Sequence, residues 1–351
     1  MAASAVRIGF VGAGTIAADR HVPGFRAIPG VELAAVVNRT PASSAAAARE
    51  FGFQRTHRSW QALVDDPAID AVVVGTWPYL HAPVTIAALE AGKHVLSQAR
   101  MAMNSAEARQ MVDAARRHSQ LTTMLVPASH TFWVDAMLVR LLDDEAIGTL
   151  RTIDGGWNEP DVCDPGEHWR HQRRYSGNNV QGVGPLYEVL LRWLGPAAAV
   201  TARTDLFEPH KPGPGGQPVV ADLPDHVGAL VEFGRGVVAN LEVASHSAAR
   251  GPSVLTFVGS RGALRLDLRR RRLEIADGDD AATRDDFREV PDAASLGITW
   301  GVEAEFVGAI RGGPPPRLND FGVGLEYMTF TDAAVESAET GRRVVLRRGA
   351  S

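Results

Sequence analysis

A glycine-rich turn directly after the first apolar segment offers a binding site for phosphate groups. Val6–Val11 predicts a buried strand, and residues 12–17 (GAGTIA) follow it as a G-x-G-x-x-A pattern. In this pattern Gly12 would permit the tight turn, Gly14 would let the backbone approach a pyrophosphate, and Ala17 would let the next helix pack on the sheet. The positive end of that helix then faces the phosphates. The pattern alone is weak evidence, but a strand before it and a helix after it are the context that a dinucleotide site requires.

The end of the second predicted strand, Val31–Val37, bears on the choice between NAD and NADP. An NAD site usually has an acidic residue here that binds the ribose hydroxyls. This chain instead has Asn38-Arg39-Thr40, so no carboxylate repels a 2′-phosphate and Arg39 can pair with one. Arg39 can also stack on adenine in an NAD site, and Asn38 can hydrogen-bond a ribose hydroxyl. The sequence therefore predicts NADP or NAD, with a slight preference for NADP.

The elements that must position these residues follow an alternating pattern. Up to residue 126, short apolar runs alternate with Ala-rich segments of helical period, which predicts β-α-β units around a parallel sheet. Further strands are predicted at Ala71–Gly75, His94–Ser97 and Leu121–Val126, and helices at Ala42–Phe51, His81–Ala91 and Ser105–His118. Later segments such as Val227–Phe233 and Val237–Ala244 alternate with period two, which favours an antiparallel sheet. The predicted class is α/β: a Rossmann domain with a doubly wound parallel sheet (1–126), then an α+β domain with a mainly antiparallel open sheet (127–351).

Composition limits the classes of partner. The chain has 351 residues, and its 36 Lys and Arg against 41 Asp and Glu give a net charge of -5, which predicts no nucleic-acid and no membrane partner. Cys163 is the single cysteine, so an internal disulfide and a cysteine metal cluster are excluded. No apolar run reaches the length of about 20 residues that spans a bilayer, and no basic and apolar leader precedes the first strand. These features predict a cytoplasmic protein.

Several longer segments resemble one enzyme family. GFVGAGTIA, AAVVNRTPASSAAAAREFG, DAVVVGTWPYLHAPVTIAALEAGKHVL and DHVGALVEFGRGVVANLEVA are similar to stretches of the glucose-fructose oxidoreductase, inositol dehydrogenase and MocA (Gfo/Idh/MocA) family. The resemblance covers nearly the whole chain. It implies an NAD(P)-dependent dehydrogenase or reductase of a sugar, polyol or related hydroxy compound. It also implies a homodimer or homotetramer joined through the open sheet of the second domain.

The stretch after the fourth strand of that family is only partly retained. Thr76 and His81 match the family's T-P-N-x-x-H, which lies beside the nicotinamide ribose, whereas Trp77 and Pro78 replace its Pro-Asn. With the motif of the fifth strand, the predicted cofactor-binding residues are Gly12, Gly14, Thr15, Ile16, Asn38, Arg39, Thr76, Trp77, His81 and Gln98.

The family's active-site lysine is missing. It belongs to a Glu-Lys-Pro motif after the fifth strand, which here reads Gln98-Ala99-Arg100. The only lysines are Lys93, which precedes the strand, and Lys211, which lies in the Pro- and Gly-rich segment 209–218 that predicts an exposed loop. Arg100 keeps its proton at all accessible pH, so it could only anchor or polarise a substrate. The resemblance therefore does not supply the usual proton-transfer group.

The family's second catalytic motif, D-x-G-x-H-x-x-D at a helix start, is also altered. Counting back from Gly195 places Gln181 at the first Asp, Pro185 at the His and Glu188 at the second acid. No histidine lies between His171 and Gly195, so a shift of register does not restore one.

Other groups must therefore move the hydroxyl proton. His130 stands where the family often carries an arginine after the sixth strand, and a histidine there could act as acid or base near neutral pH. Tyr187 and Glu188 are predicted at the mouth-facing end of a helix. The predicted catalytic residues are Glu188, His130 and Tyr187; each also has a structural alternative, as a helix-turn charge, a loop histidine and a core side chain.

Substrate contacts are predicted at Arg100, Trp169 and Arg170, since the family has a Trp-Arg pair on its substrate side. His168 and His171 with Glu167 could hold a metal, but no further ligand is identifiable, and no metal is predicted.

Two functions follow from these observations. The first is an NAD(P)-dependent oxidoreductase of a small sugar-like or hydroxy-acid substrate with an atypical proton-transfer group. The alternative is a dinucleotide-binding lyase or epimerase with a tightly held cofactor, or a catalytically silent ligand-binding relative. Fold alone does not decide between them.

Overall fold

The computed structural model describes residues 5–158, 168–180, 182–245, 253–277 and 286–346. These residues form two compact units. The first unit contains the chain up to Pro127 together with residues 174–177 and 300–328. These two later segments were predicted to lie in the second domain, so the division at 126/127 is wrong for them.

The elements are numbered in chain order. The described strands are β1 (Val6–Val11), β2 (Val31–Val37), β3 (Arg55–Thr56), β4 (Ala71–Val74), β5 (His94–Ser97), β6 (Thr123–Leu125), β7 (Leu150–Asn158), β8 (Ala197–Asp205), β9 (His210–Pro212), β10 (Pro218–Val220), β11 (His226–Phe233), β12 (Val238–Ala244), β13 (Val254–Gly259), β14 (Gly262–Asp267), β15 (Arg272–Asp277), β16 (Arg288–Glu289) and β17 (Val344–Val345). The described α-helices are α1 (Val22–Arg26), α2 (Pro41–Glu50), α3 (Trp60–Val64), α4 (His81–Glu90), α5 (Ser105–Arg117), α6 (Asp135–Asp143), α7 (Arg173–Ser176), α8 (Val183–Leu194), α9 (Val302–Ile310) and α10 (Phe321–Thr340). Within the described ranges, no helix combines the length and the apolar character needed to cross a membrane.

The first unit is built on six parallel strands in the order β3-β2-β1-β4-β5-β6. This is the doubly wound order of a dinucleotide-binding Rossmann sheet, and it confirms the predicted fold class. The connections leave β1 in opposite directions toward β2 and β4, so a crevice opens at the carboxyl ends of these strands. β4 is buried along its whole length, as expected for a strand covered on both faces.

The core of the first unit explains why residues 300–328 return to it. Phe10 on β1 packs edge-on against Phe25, with ring centres 6.0 Å apart, and against Phe53, at 5.1 Å. Val302 and Phe306 of α9 are fully buried in the same apolar cluster. Removing these apolar side chains of α9 from water stabilises the folded unit. The late helix is therefore part of the Rossmann core.

The second unit contains a nine-stranded sheet in the order β16-β15-β14-β13-β7-β12-β11-β8-β17. Its described pairs are antiparallel except for β7 with β12, which confirms the predicted mainly antiparallel sheet. Tyr187 of α8 stacks on Phe330 of α10 with ring centres 3.8 Å apart, and Trp193 packs edge-on to Phe257 of β13.

Residues 209–218 are largely exposed, as predicted, but they are not a plain loop. They contribute to the antiparallel hairpin of β9 and β10, and the side chain of Lys211 is only 1% exposed. Its Nζ donates to Oε2 of Glu208 at 3.0 Å and lies 3.4 Å from Oδ2 of Asp225. A buried ammonium needs such carboxylate partners. Both carboxylates lie outside residues 209–218, so the composition of this segment alone does not indicate that Lys211 is buried.

Candidate cofactor-binding and active site

A cavity of about 590 Å³ lies in the first unit, where β1, β2 and β4 end. Its walls are residues 11–14, residues 37–40 with Ser43, residues 58–60, and residues 75–77 with Tyr79 and Leu80. Six of the predicted cofactor-binding residues line it: Gly12, Gly14, Asn38, Arg39, Thr76 and Trp77. Thr15 and Ile16 are exposed in the first turn of the helical segment that follows.

The two glycines of the turn serve different purposes. Gly12 has φ +86°, and a Cβ there would come within 2.8 Å of the backbone of Gly75 and Thr76. Only glycine tolerates that approach, so Gly12 is required by the protein itself. A Cβ at Gly14 would meet nothing within 4 Å and would point into open space. The structure therefore agrees with the separate roles predicted for the two residues, a tight turn at Gly12 and space for a pyrophosphate at Gly14.

Asn38 holds the glycine turn in place. Its Oδ1 accepts from the backbone N–H of Ala13 at 2.7 Å, and its Nδ2 donates to the carbonyl oxygens of Ala13 and Ser43 at 3.4 and 3.3 Å. The amide thus joins the turn after β1 to the start of α2. Because its polar atoms have these partners, the predicted contact with a ribose hydroxyl gives way to a positioning role.

The charges around the cavity are all positive. Arg39 and Arg58 line it, both with exposed side chains, and no Asp or Glu is among its lining residues. The guanidinium carbon of Arg39 lies 5.4 Å from the ring centre of Trp77, within cation-π range. Arg58 was missed in the sequence because it follows the two-residue strand β3, which has too few residues for a periodic pattern.

Two aromatic side chains that line the cavity, Trp77 and Tyr79, belong to a cluster of three rings. The ring centres of Trp77 and Tyr79 lie 6.3 Å apart, and both rings contact Tyr175, at 4.9 and 5.6 Å. Tyr175 belongs to one of the segments that return to the first unit. The replacement of the family's Pro-Asn by Trp77-Pro78 therefore creates an aromatic cluster that the sequence did not predict.

His81 does not line the cavity. It is 1% exposed, its Nδ1 lies 2.8 Å from the carbonyl oxygen of Arg100, and its Nε2 lies 2.8 Å from that of Thr76. Burial lowers the pKa of His81 below its usual value, so the ring donates to only one of these oxygens at a time. The histidine joins the segments after β4 and β5, and the predicted cofactor contact is corrected to a positioning role.

The altered Glu-Lys-Pro segment follows β5. Gln98 is half-buried, and its Nε2 donates to Nε2 of His21, a residue for which the sequence predicted no role. Ala99 is exposed and its peptide bond to Arg100 is cis. Arg100 is 9% exposed, so the predicted substrate contact has to come from a largely buried side chain.

Glu188 belongs to a buried ion network in the second unit. Its Oε1 accepts from the backbone N–H of Ala128 at 2.7 Å and from Nη1 of Arg192 at 2.9 Å. Arg192 also donates from Nη2 to Oγ1 of Thr131 at 3.0 Å and lies 3.2 Å from Oδ2 of Asp135. Glu188 is 1% exposed, which contradicts its predicted place at a mouth-facing helix end. Its carboxylate anchors the segment after β6 to α8.

Tyr187 is also a core residue. It is 2% exposed, stacks on Phe330, and its hydroxyl accepts from the backbone N–H of Ala197 at 2.9 Å. The predicted mouth-facing position is therefore wrong, and the structural alternative applies. Because α8 has apolar side chains around most of its circumference, its periodicity does not indicate which residues face the mouth of a site.

His130 lies partly buried in the second unit. Its ring packs edge-on against Trp157 with centres 4.3 Å apart, and its Nε2 is buried without a hydrogen-bond partner. Burial, and to a smaller extent the charge of Arg192, lower the pKa of His130 from 6.5 to about 3. The expected titration near neutral pH is therefore wrong: the imidazole is neutral there and can only donate or accept a hydrogen bond.

Trp169 and Arg170 lie in a short 3-10 turn, His168–His171. Trp169 is 9% exposed, and the guanidinium carbon of Arg170 lies 4.3 Å from its ring centre. Gln181 and Glu167 lie outside the described residues. Among the residues that are described, no group of three or more His, Cys, Asp or Glu side chains could hold a metal ion.

Comparisons with known proteins agree with this architecture. Residues 6–125 match the oxidoreductase family with an NAD-binding Rossmann fold, and residues 136–265 match the GFO/IDH/MocA C-terminal domain. The chain is 31% identical to dTDP-3,4-didehydro-2,6-dideoxy-alpha-D-glucose 3-reductase of Streptomyces antibioticus, over 88% of this chain and 90% of that protein. It is 28% identical to levoglucosan dehydrogenase of Pseudarthrobacter phenanthrenivorans, over 86% of both chains.

A solved structure of levoglucosan dehydrogenase in complex with NADH and levoglucosan has a TM-score of 0.83 to this chain, at 25% identity, covering 98% of this chain and 100% of the other. The match therefore extends over both units. With the Rossmann strand order and the glycine turn, these findings establish that the chain belongs to the Gfo/Idh/MocA family of NAD(P)-dependent oxidoreductases.

Proposed function

We propose that this protein is an NADP-preferring oxidoreductase of a sugar, polyol or related hydroxy compound. The observation that carries the cofactor preference is the cavity at the ends of β1, β2 and β4, which is lined by Arg39 and Arg58 and by no carboxylate. A 2′-phosphate adds about two negative charges, and two guanidinium groups offset them through charge-assisted hydrogen bonds. Asn38 is already bonded to the glycine turn, which weakens the case for a dedicated NAD ribose contact.

The substrate class rests on the named relatives. Levoglucosan and a dideoxy sugar nucleotide are the substrates in the names of two relatives that match most of this chain. Both are hydroxylated sugar rings or their ketone forms. A bound nicotinamide accepts or donates a hydride at a substrate carbon. The protein must then orient the substrate hydroxyl and provide for its proton.

The proton-transfer group differs from that of the family. Ala99 stands at the lysine position, and Tyr187 and Glu188 are committed to internal contacts. Of the three predicted catalytic residues, His130 alone has a buried polar side-chain atom, Nε2, without a hydrogen-bond partner among the described residues. We assign it the role of a neutral hydrogen-bond group for the reacting hydroxyl. Trp169 and Arg170 remain our candidates for the substrate side.

The test is a screen of the purified protein with NADP and with NAD against sugars, polyols and sugar acids, followed by nicotinamide absorbance. We expect reduction of NADP in preference to NAD with at least one hydroxylated substrate. Gly14→Val is the matched inactive control, since its side chain fills the open space beside the turn. Equal turnover with both cofactors would contradict the NADP preference.

The second candidate is a lyase or epimerase that keeps its cofactor tightly bound, or a silent binding relative. The absence of an ionisable group at Ala99 favours it. It predicts that NADPH copurifies with the protein and that product forms with no net change in nicotinamide absorbance. Product analysis of the same screen by mass spectrometry separates this function from net oxidation.

A further inference from the structure

A buried histidine in the first unit connects two distant parts of the chain. His21 lies in the π-helical turn Ala17–His21, directly after the glycine turn, and is 0% exposed. Its Nδ1 donates to Oε1 of Glu303 at 2.5 Å, across 282 positions of sequence. Its Nε2 accepts from Nε2 of Gln98. An imidazole that accepts at Nε2 carries its proton at Nδ1, so both contacts are satisfied by one neutral tautomer.

Glu303 is built into this position. Its side chain is 3% exposed, and its Oε2 accepts from Nε1 of Trp300 at 2.8 Å. A Cβ at Gly24 would lie 2.6 Å from Oε2 of Glu303, so glycine at that position leaves room for the carboxylate. A buried carboxylate is costly unless it is paired and hydrogen-bonded, and these contacts supply both.

Gln98 stands at the other end of the chain of contacts. It follows β5, at the position of the glutamate in the Glu-Lys-Pro motif that this sequence lacks. A carboxamide can donate to His21 with its nitrogen and keep its oxygen as an acceptor, whereas a carboxylate can only accept. A glutamate in place of Gln98, together with Glu303, would place two carboxylates on one imidazole. The residue types at these two positions therefore depend on each other.

We propose that Glu303, acting through His21, is a positioning residue that orients the Gln98 carboxamide as a cofactor-contacting group. The carboxylate of this hydrogen-bond chain is then Glu303 on α9, whereas the Glu-Lys-Pro motif has its glutamate at the end of β5. The assignment rests on the proposed cofactor binding. The oxygen of Gln98 then accepts a hydrogen bond from the nicotinamide half of the cofactor. His21 and Glu303 touch neither substrate nor cofactor.

The test exchanges the two residue types. The variants are Gln98→Glu, Gln98→Ala, Glu303→Gln and the double variant Gln98→Glu/Glu303→Gln. In the double variant, the amide introduced on α9 can accept from Trp300 with its oxygen and donate to Nδ1 of His21 with its nitrogen. Nε2–H of His21 can then donate to the carboxylate introduced after β5. The hydrogen-bond chain is complete again with the opposite tautomer.

Two readouts are measured on each variant: the NADPH dissociation constant by fluorescence titration, and the His21 tautomer by ¹⁵N NMR of the cofactor-free protein. We expect Gln98→Glu, Gln98→Ala and Glu303→Gln to weaken NADPH binding by about tenfold each, the size of one lost hydrogen bond. The double variant should return to within about threefold of the wild type. The tautomer should change from Nδ1–H in the wild type to Nε2–H in the double variant.

Asp70→Asn is the matched control. Asp70 accepts from the side chain of Arg7 at 2.7 Å at the opposite end of the sheet, so its loss should lower thermal stability without changing NADPH affinity. A double variant no better than the weaker single variant, or a wild-type His21 protonated at Nε2, would overturn the proposal while cofactor binding stands. If the wild type bound neither NADPH nor NADH, the proposed function and this assignment would be overturned together.

Discussion

Arg192 and Glu188 form a buried ion pair one turn apart on α8, with Nη1 of the arginine 2.9 Å from Oε1 of the glutamate. The side chains are 13% and 2% exposed. Each has a further partner in the segment after β6: the carbonyl oxygen of Ala128 for Arg192 and the N–H of the same residue for Glu188. The pair therefore connects the segment that carries His130 to the helix.

The first prediction concerns this pair. Arg192→Met should lower the free energy of unfolding by about 3 kcal/mol, because it leaves Glu188 buried without its opposite charge. Arg140→Met is the control, since Arg140 pairs with Asp144 at the same spacing but with both side chains 64% exposed, and its loss should cost about 0.5 kcal/mol or less. Urea denaturation measures both. Loss of turnover in Glu188→Gln with unchanged stability would show instead that Glu188 is catalytic.

The glycine turn gives the second prediction. Gly14→Val should abolish NADPH and NADH binding in calorimetric titration and leave the thermal unfolding temperature close to that of the wild type. The reason is that a Cβ at position 14 enters open space and meets no protein atom within 4 Å. Gly12→Val should lower the unfolding temperature as well, because its Cβ meets the backbone of Gly75. Unchanged affinity in Gly14→Val would remove the cofactor assignment.

The third prediction separates the two cofactors. Arg39→Ala and Arg58→Ala should each weaken NADPH binding by about tenfold to a hundredfold and leave NADH binding nearly unchanged, as expected for a lost charge-assisted contact. Arg49→Ala, an exposed arginine on α2 that does not line the cavity, is the control. Equal losses for both cofactors in Arg39→Ala would indicate stacking on the adenine.

Asn38 provides the fourth prediction. Asn38→Ala removes the hydrogen bond from Ala13 and should weaken NADPH and NADH by the same factor, about fivefold to tenfold. The two affinities should fall by the same factor because the glycine turn contacts the pyrophosphate, which NADPH and NADH share. Parallel titrations measure it. A loss confined to NADH would instead point to a direct contact with the ribose hydroxyls.

The fifth prediction is a pH dependence of stability. The pKa of His130 is lowered from 6.5 to about 3, so between these values the unfolded chain binds a proton that the folded protein does not. Stability is therefore full above about pH 6.5 and falls as the pH drops, with a slope from this group of up to about 1.4 kcal/mol per pH unit. His130→Asn should flatten this dependence in urea titrations at several pH values. His210→Asn, at an exposed histidine, should not.

The local pattern of the sequence was sufficient for the glycine turn and for five of the six strands in the sheet of the first unit, all except the two-residue strand β3. Val6–Val11 is apolar at four of its six positions, and the residues after it require a tight turn, so neighbouring residues alone indicate both features. The boundaries differ by a few residues, as in Leu121–Val126, of which Thr123–Leu125 pairs as a strand. Helix ends such as Asn104, whose side chain accepts from Glu107 N–H, are likewise fixed by adjacent residues.

The tertiary structure alone decided which polar groups have internal partners. Glu188 and Tyr187 were singled out for their chemistry, but their polar atoms are used inside the second unit. Tyr187 stacks on Phe330 and accepts from the N–H of Ala197. Glu188 accepts from Arg192 and from the N–H of Ala128. Conversely, no sequence pattern indicated that His21 and Glu303 are partners. They are separated by 282 positions, yet their side chains are hydrogen-bonded to each other. A periodic sequence determines which face of an element is apolar, because that depends on near neighbours. The partner of a buried charge is decided by long-range packing, since burial is possible only where another part of the chain supplies the opposite charge or a hydrogen bond.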